Sequence, residues 1–305
     1  MKATKQVDGG FRLSGVIPAL ITPLTETGAI DFDLFDKHVE YLSSAGVHGM
    51  FVNGTTGEGA YLTTAEKVET FRHVKQITQG RQFLCAACLQ PSTELALEEI
   101  RQFEALEPDF IVVVTPYYYA ASQDVIVQHY CEIAQQSPAP VIVYNIPACT
   151  HNPIALDTVF QLAEVENIAG VKDSSGNFAA FSRGVYANPK PDFAWIQGED
   201  ALDAPAFLIG ANGIVTGLGN VWIDPYLAMY EAFKANNSAG LHQAQKQVNA
   251  LYEIIGRVGG KVIPAIKAGA TCLGRSTTRM KLPGLRLDDA DIEQVRDVLG
   301  TLGVL

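Results

Sequence analysis

Between residues 14 and 238 the chain repeats one unit eight times, a short apolar run followed by a longer amphipathic stretch. This alternation constrains the fold more than any other feature. Runs such as Phe110 to Thr115 and Val141 to Asn145 are nearly continuous in valine and isoleucine. Strands of that kind are buried on both faces, as parallel strands covered by helices are. The stretches between them carry helical spacing. In Asp31 to Ala45, Phe35, Val39 and Leu42 share one face, and Gly46 stands where a left-handed stop is expected. The other strands are expected at Gly15 to Thr22, His48 to Asn53, Phe83 to Ala87, Ile168 to Lys172, Phe193 to Gln197 and Gly213 to Thr216. No Gly-x-Gly-x-x-Gly follows the first strand, so a closed α/β barrel, the (β/α)8 TIM barrel, is expected over 14–238 rather than a doubly wound sheet. Helical patterns at Gln243 to Val258, Val262 to Leu273 and Asp288 to Leu302 make 239–305 a C-terminal helical extension packed on the barrel. Residues 1–13 read as an N-terminal arm without the apolar segment of a secretory signal.

Composition narrows the partner. The apolar runs fall far short of the ~20 residues a bilayer helix needs. A net charge of -11 with the basic residues dispersed argues against nucleic acid or an anionic membrane, which leaves a small molecule. Five scattered cysteines fit the thiols of a cytoplasmic protein, and Cys85-x-x-Cys88 has no second ligand pair to complete a zinc site. No metal is implied.

In a barrel of this kind reactive groups gather at the carboxyl ends of the strands. Lys172 ends a short apolar run, where poor solvation disfavours an ammonium and favours a free amine able to form a Schiff base. The small residues from Asp173 to Gly176 read as a turn, with Asn177 as a helix cap. Tyr144 ends the preceding strand, close enough to exchange protons with an adduct on the lysine. After the second strand, Gly54-Thr55-Thr56-Gly57-Glu58 offers amides and two hydroxyls to a carboxylate. Each feature also has an ordinary structural reading, as a solvated lysine, a packed tyrosine or a glycine turn. Tyr117, Tyr118 and Tyr119 fit a subunit contact.

Taken together, Gly54-Thr-Thr-Gly-Glu58, Thr115-Pro-Tyr-Tyr118, Tyr144-Asn-Ile-Pro147 and Gly170-Val-Lys172-Asp resemble the signature blocks of the dihydrodipicolinate synthase / N-acetylneuraminate lyase family, in order and in register. The resemblance runs from Gly15 to Gly274. It implies a lyase or aldolase joining pyruvate to an aldehyde, or the reverse, in a homotetramer built as a dimer of dimers, with no cofactor. By resemblance Lys172 forms the imine, Tyr144 is the general acid/base, and Thr55 and Thr56 hold the pyruvyl carboxylate. By the same resemblance Tyr118 is expected to complete a proton relay with Thr55 from the neighbouring subunit, and Gly198 and Val215 to contact substrate.

Departures from the family pattern bear on the aldehyde. Where dihydrodipicolinate synthases carry an arginine for the carboxylate of aspartate semialdehyde, this chain has Cys149. The positions that bind feedback lysine hold Gly59, Thr64, Lys67 and Pro91, which do not match. Glu199 and Asp200 are placed to bind the hydroxyls of a sugar acid, but Gly217 stands where sialic acid lyases have serine. The block Lys172-Asp-Ser-Ser-Gly resembles aldolases for 4-hydroxy-2-oxoglutarate and 2-oxo-3-deoxy sugar acids, and those substrates are expected. The synthase, N-acetylneuraminate lyase and a 2-oxo acid dehydratase are the alternatives. A silent pyruvate-binding barrel is the reading from another class.

Overall fold

The structure is a computed structural model and describes residues 13–305. The expected N-terminal arm, 1–13, lies outside the described residues except for Leu13. Strands and helices alternate as expected. The first half holds β1 (Gly15–Pro18), α1 (Phe32–Ala45), β2 (Gly49–Val52), α2 (Thr64–Thr78), β3 (Phe83–Cys88), α3 (Thr93–Phe103), β4 (Phe110–Val114) and α4 (Gln123–Gln136). The second half continues with β5 (Val141–Asn145), α5 (Pro147–Thr150), α6 (Leu156–Ala163), β6 (Ile168–Asp173), α7 (Phe178–Tyr186), β7 (Ala194–Gln197), α8 (Asp203–Leu208), β8 (Gly213–Thr216) and α9 (Asp224–Lys234). Three helices follow, α10 (Ser238–Arg257), α11 (Val262–Cys272) and α12 (Asp289–Leu302).

The strands form one parallel ladder in the order β1-β8-β7-β6-β5-β4-β3-β2. The ring is drawn shut between β1 and β2 by a bridge from Ala19 to Phe51, with the Leu20 N–H donating to the Phe51 carbonyl at 3.0 Å. The fold is the expected (β/α)8 barrel. The first strand is shorter than expected, because beyond Pro18 the chain is held by other partners. The Ile21 N–H donates to Asn220 Oδ1 at 3.2 Å, and Thr22 Oγ1 donates to the Gly57 carbonyl at 2.7 Å.

Two cores follow from the period of two along each strand. One face packs outward against the helices, as Leu84, Ala86, Val113 and Val143 do. The other fills the barrel interior with Ile17, Phe51, Cys85, Ala87, Val112, Ile142, Tyr144, Ile196 and Val215. Cys85 and Cys88 therefore sit in different cores. Side-chain caps define several of the helix starts, at about 1 kcal/mol each. Thr63 forms a capping box with Glu66, and Asp31, Ser92, Ser122 and Asn177 each accept a bond from the first turn. α10 buries Leu241, Val248, Leu251 and Ile254 and packs on α9 and α12. Among the described residues no helix is long and apolar enough to cross a membrane.

Candidate active site

Lys172 lies directly beside Tyr144 in the register of β5 and β6. Strict alternation from Ile168, which packs against the helices, would turn Lys172 outward too. A register shift prevents this. Ile168 pairs with Val141, but Gly170, not Ala169, pairs with Ile142. After that bulge Val171 packs outward and Lys172 points into the barrel, onto the interior rings of Phe51 and Tyr144. A Cβ on Gly170 would lie 2.4 Å from the Ala194 carbonyl oxygen, so the bulge is fitted to glycine.

Lys172 is only 5% exposed. Its Nζ stands 3.9 Å from the Tyr144 ring centroid and 4.3 Å from that of Phe51, a cation–π arrangement. Among the described residues it has no carboxylate partner, whereas Lys67 meets Glu99 and Lys267 meets Glu58, each at 2.7 Å. Gly198 leaves room for the amine, because a Cβ there would come within 3.0 Å of Lys172 Cε. Val215, on β8, belongs to the same interior cluster as Tyr144 and Phe51.

The Gly54-Thr-Thr-Gly-Glu58 turn closes on its own backbone. The N–H groups of Gly57 and Gly59 both donate to the Gly54 carbonyl, at 3.1 and 3.0 Å. A Cβ on Gly59 would lie 1.8 Å from the Asn53 carbonyl oxygen, which only glycine avoids. The turn presents Thr55 and Thr56 half-buried, with Thr55 Oγ1 3.5 Å from the Tyr144 hydroxyl. Thr56 adjoins Gly217, where a Cβ would lie 3.5 Å from Thr56 Oγ1.

The segment after Lys172 is anchored to β5. Asp173 accepts from Asn145 Nδ2 at 2.7 Å and from the Ser175 hydroxyl at 2.7 Å, while Asn145 Oδ1 accepts the Ile154 N–H at 3.1 Å. Asp200 is not offered to a ligand. Its carboxylate accepts from the Tyr226 hydroxyl at 2.6 Å and from Thr216. Burial pushes its pKa up, and burial likewise raises Glu199, with Asp200 adding to it.

Lys172, Tyr144, Thr55, Thr56, Gly198 and Val215 thus converge within one chain. Tyr118 does not join them. It holds a left-handed backbone (φ 78°), is 84% exposed and packs edge-on to Tyr119 at 5.0 Å. Above Thr55 a cavity of about 490 Å³ opens, with Cys149 on its wall. Partial burial raises the Cys149 pKa, against a lowering pull from Lys172. Ile263, Met280 and Leu285 from the C-terminal segment line the same cavity, a contribution that sequence reasoning missed. No spacing in that segment marks it as part of a site. The bulge did leave a trace, since outward residues Ile168 and Val171 are three apart rather than two or four.

The model of the dihydrodipicolinate synthetase family matches residues 12–302. The chain belongs to that family. A 4-hydroxy-tetrahydrodipicolinate synthase of Bifidobacterium animalis is 33% identical, the match covering 95% of this chain and 94% of the relative. One of Corynebacterium aurimucosum is 32% identical over 94% of both. The solved dihydrodipicolinate synthase of Acinetobacter baumannii, complexed with pyruvate, superimposes with a TM-score of 0.90 at 26% identity, covering 96% of this chain and 99% of that one. The chain is accordingly a lyase of the pyruvate-dependent aldolase class. The expected lean toward 4-hydroxy-2-oxoglutarate or 2-oxo-3-deoxy sugar acids gains no support from these relatives, whose names favour the synthase alternative.

Proposed function

We propose that this chain joins pyruvate to an aldehyde, or reverses that reaction, through a Schiff base on Lys172. The observation that carries the reading is a buried amine without a carboxylate partner among the described residues, seated against Tyr144 whose hydroxyl reaches Thr55. The Lys172 amine adds to the ketone carbon, Tyr144 supplies the proton with which water leaves, and the protonated imine draws electrons from the methyl carbon. Loss of a methyl proton gives the enamine. Its carbon attacks the aldehyde carbon, the aldehyde oxygen takes a proton through Tyr144, and water then releases the 4-hydroxy-2-oxo acid and the free amine.

Thr55 and Thr56 hold the pyruvyl carboxylate, with Gly198 and Val215 shaping the space around it. No organic cofactor enters this scheme, because the imine is itself the electron sink. Tyr118 and Tyr119 offer an exposed aromatic patch to a second copy, in support of a homotetramer in which Tyr118 reaches the neighbouring site. Free thiols suit the cytoplasm. Among aldehydes, the names of the relatives support 4-hydroxy-tetrahydrodipicolinate synthesis. Cys149 favours a different partner, since a thiol cannot pair with the carboxylate of a semialdehyde as an arginine does.

Exchange of pyruvate methyl protons with D2O tests enamine formation without an aldehyde. The wild type exchanges them, and Tyr144→Phe slows exchange by about 10²–10⁴-fold. Exchange within twofold of wild type in that variant removes Tyr144 from the proton transfer.

A further inference from the structure

Resting on the Schiff-base reading, we propose that the aldehyde partner carries an uncharged, apolar substituent such as a phenyl ring or an alkyl chain. The aldehyde carbonyl must reach Tyr144 and Thr55. Thr55 lines the cavity of about 490 Å³ that leads outward, a size typical of small-molecule sites, so the substituent has to lie there.

The cavity wall is made chiefly by Leu89, Val114, Ile146, Ile263, Met280 and Leu285. Two of its polar groups are engaged elsewhere, which leaves the Tyr61 hydroxyl and Thr55. The Tyr117 hydroxyl donates to the Leu89 carbonyl at 3.1 Å, and Thr150 Oγ1 donates to the Ile146 carbonyl at 3.2 Å. Glu58 is the one ionic lining residue among the described residues, and it is an anion. Its Oε1 accepts from Lys267 Nζ at 2.7 Å and its Oε2 from the Lys281 N–H at 2.8 Å. The Lys281 ammonium is turned to Glu66, at 2.6 Å. Cys149 adds a soft, neutral surface.

A carboxylate on the aldehyde would therefore lie beside Glu58 while the ammoniums of Lys267 and Lys281 are already committed to Glu58 and Glu66, and a polyol would find few partners beyond the Thr55 and Tyr61 hydroxyls. An apolar group loses nothing there and gains contact along the wall. The product is then a 4-hydroxy-2-oxo acid with an apolar tail. Pyruvate contributes the nucleophilic methyl carbon, the aldehyde carbonyl becomes the hydroxyl, and no other reactant is consumed.

The test compares benzaldehyde and hexanal with glyoxylate and aspartate semialdehyde as partners of pyruvate, beside borohydride trapping of pyruvate alone. A kcat/KM about 100-fold higher for the apolar pair is expected. Leu285→Asp is expected to lower the benzaldehyde-to-glyoxylate ratio about tenfold, and Cys149→Arg to lower it by a similar factor. A ratio taken within one preparation does not depend on the fraction folded. Equal or reversed preference, no product from the apolar aldehydes, or a ratio unmoved in both variants overturns the inference while a trapped pyruvyl adduct leaves the Schiff-base reading standing. Failure to trap any adduct overturns that reading, and this inference falls with it.

Discussion

Among the described residues three lysines are buried, and two of them are built differently from the third. Lys67 and Lys267 have exposures of 1% and 0% and lie against Glu99 and Glu58, so each charge leaves water for a direct counterion. Burial lowers the Lys267 pKa, but Glu58 pulls it back up, and the pair ties α11 to the turn that presents Thr55. Lys172 is nearly as buried and is given two aromatic rings instead. Burial alone therefore does not mark a reactive lysine. The two kinds differ in the counterion: Lys67 and Lys267 are held by carboxylates, while Lys172, the one we propose to react, meets two rings.

Replacing each kind of lysine sharpens the contrast. Lys172→Met is expected to abolish pyruvate methyl exchange, a loss of about 10⁴-fold or more, with unfolding free energy within about 1 kcal/mol of wild type. Lys267→Met strands the Glu58 carboxylate and is expected to cost roughly 3–5 kcal/mol in denaturant unfolding. If Lys172→Met destabilised as much as Lys267→Met, the distinction would collapse.

Gly170→Ala tests whether the bulge aims the lysine. The added Cβ meets the Ala194 carbonyl, and an approximate 10²-fold loss in exchange is expected from a displacement near 1 Å. Exchange at the wild-type rate would show that Lys172 does not depend on the bulge.

The smallest effect concerns a buried base with neither counterion nor substrate. His38 is fully buried, and burial lowers its pKa to about 3. In the unfolded chain it titrates near its ordinary ~6.5, so between these values the unfolded state binds more protons. Stability from this group is complete above pH 6.5 and drains as pH falls toward 3. About 2 kcal/mol is lost at pH 5, and His38→Gln removes that part of the pH dependence in urea unfolding.

The sequence shows the barrel because both of its periods are local: Val and Ile runs for strands, Phe35, Val39 and Leu42 for a helix face. The pairing of Lys172 with Tyr144 is legible for the same reason, since adjacent parallel strands place their ends side by side. What stays hidden depends on contacts distant in the chain. The overrun of the first strand reflects Asn220 and Gly57 taking over its bonds. The single turn of α5 at Pro147–Thr150 follows directly on β5, too short to carry a helical period. The inward aim of Lys172 depends on a one-residue shift against β5, and the cavity wall from Ile263, Met280 and Leu285 on packing of a segment about a hundred residues away.

Lys172 is proposed to be the amine that bonds to pyruvate. Borohydride reduction in the presence of pyruvate, followed by peptide mass mapping, tests it most directly. One reduced pyruvyl group on the peptide that carries Lys172, absent in Lys172→Ala, is the predicted result. An adduct on another lysine, or none at all, would rule out Lys172 as the Schiff-base residue.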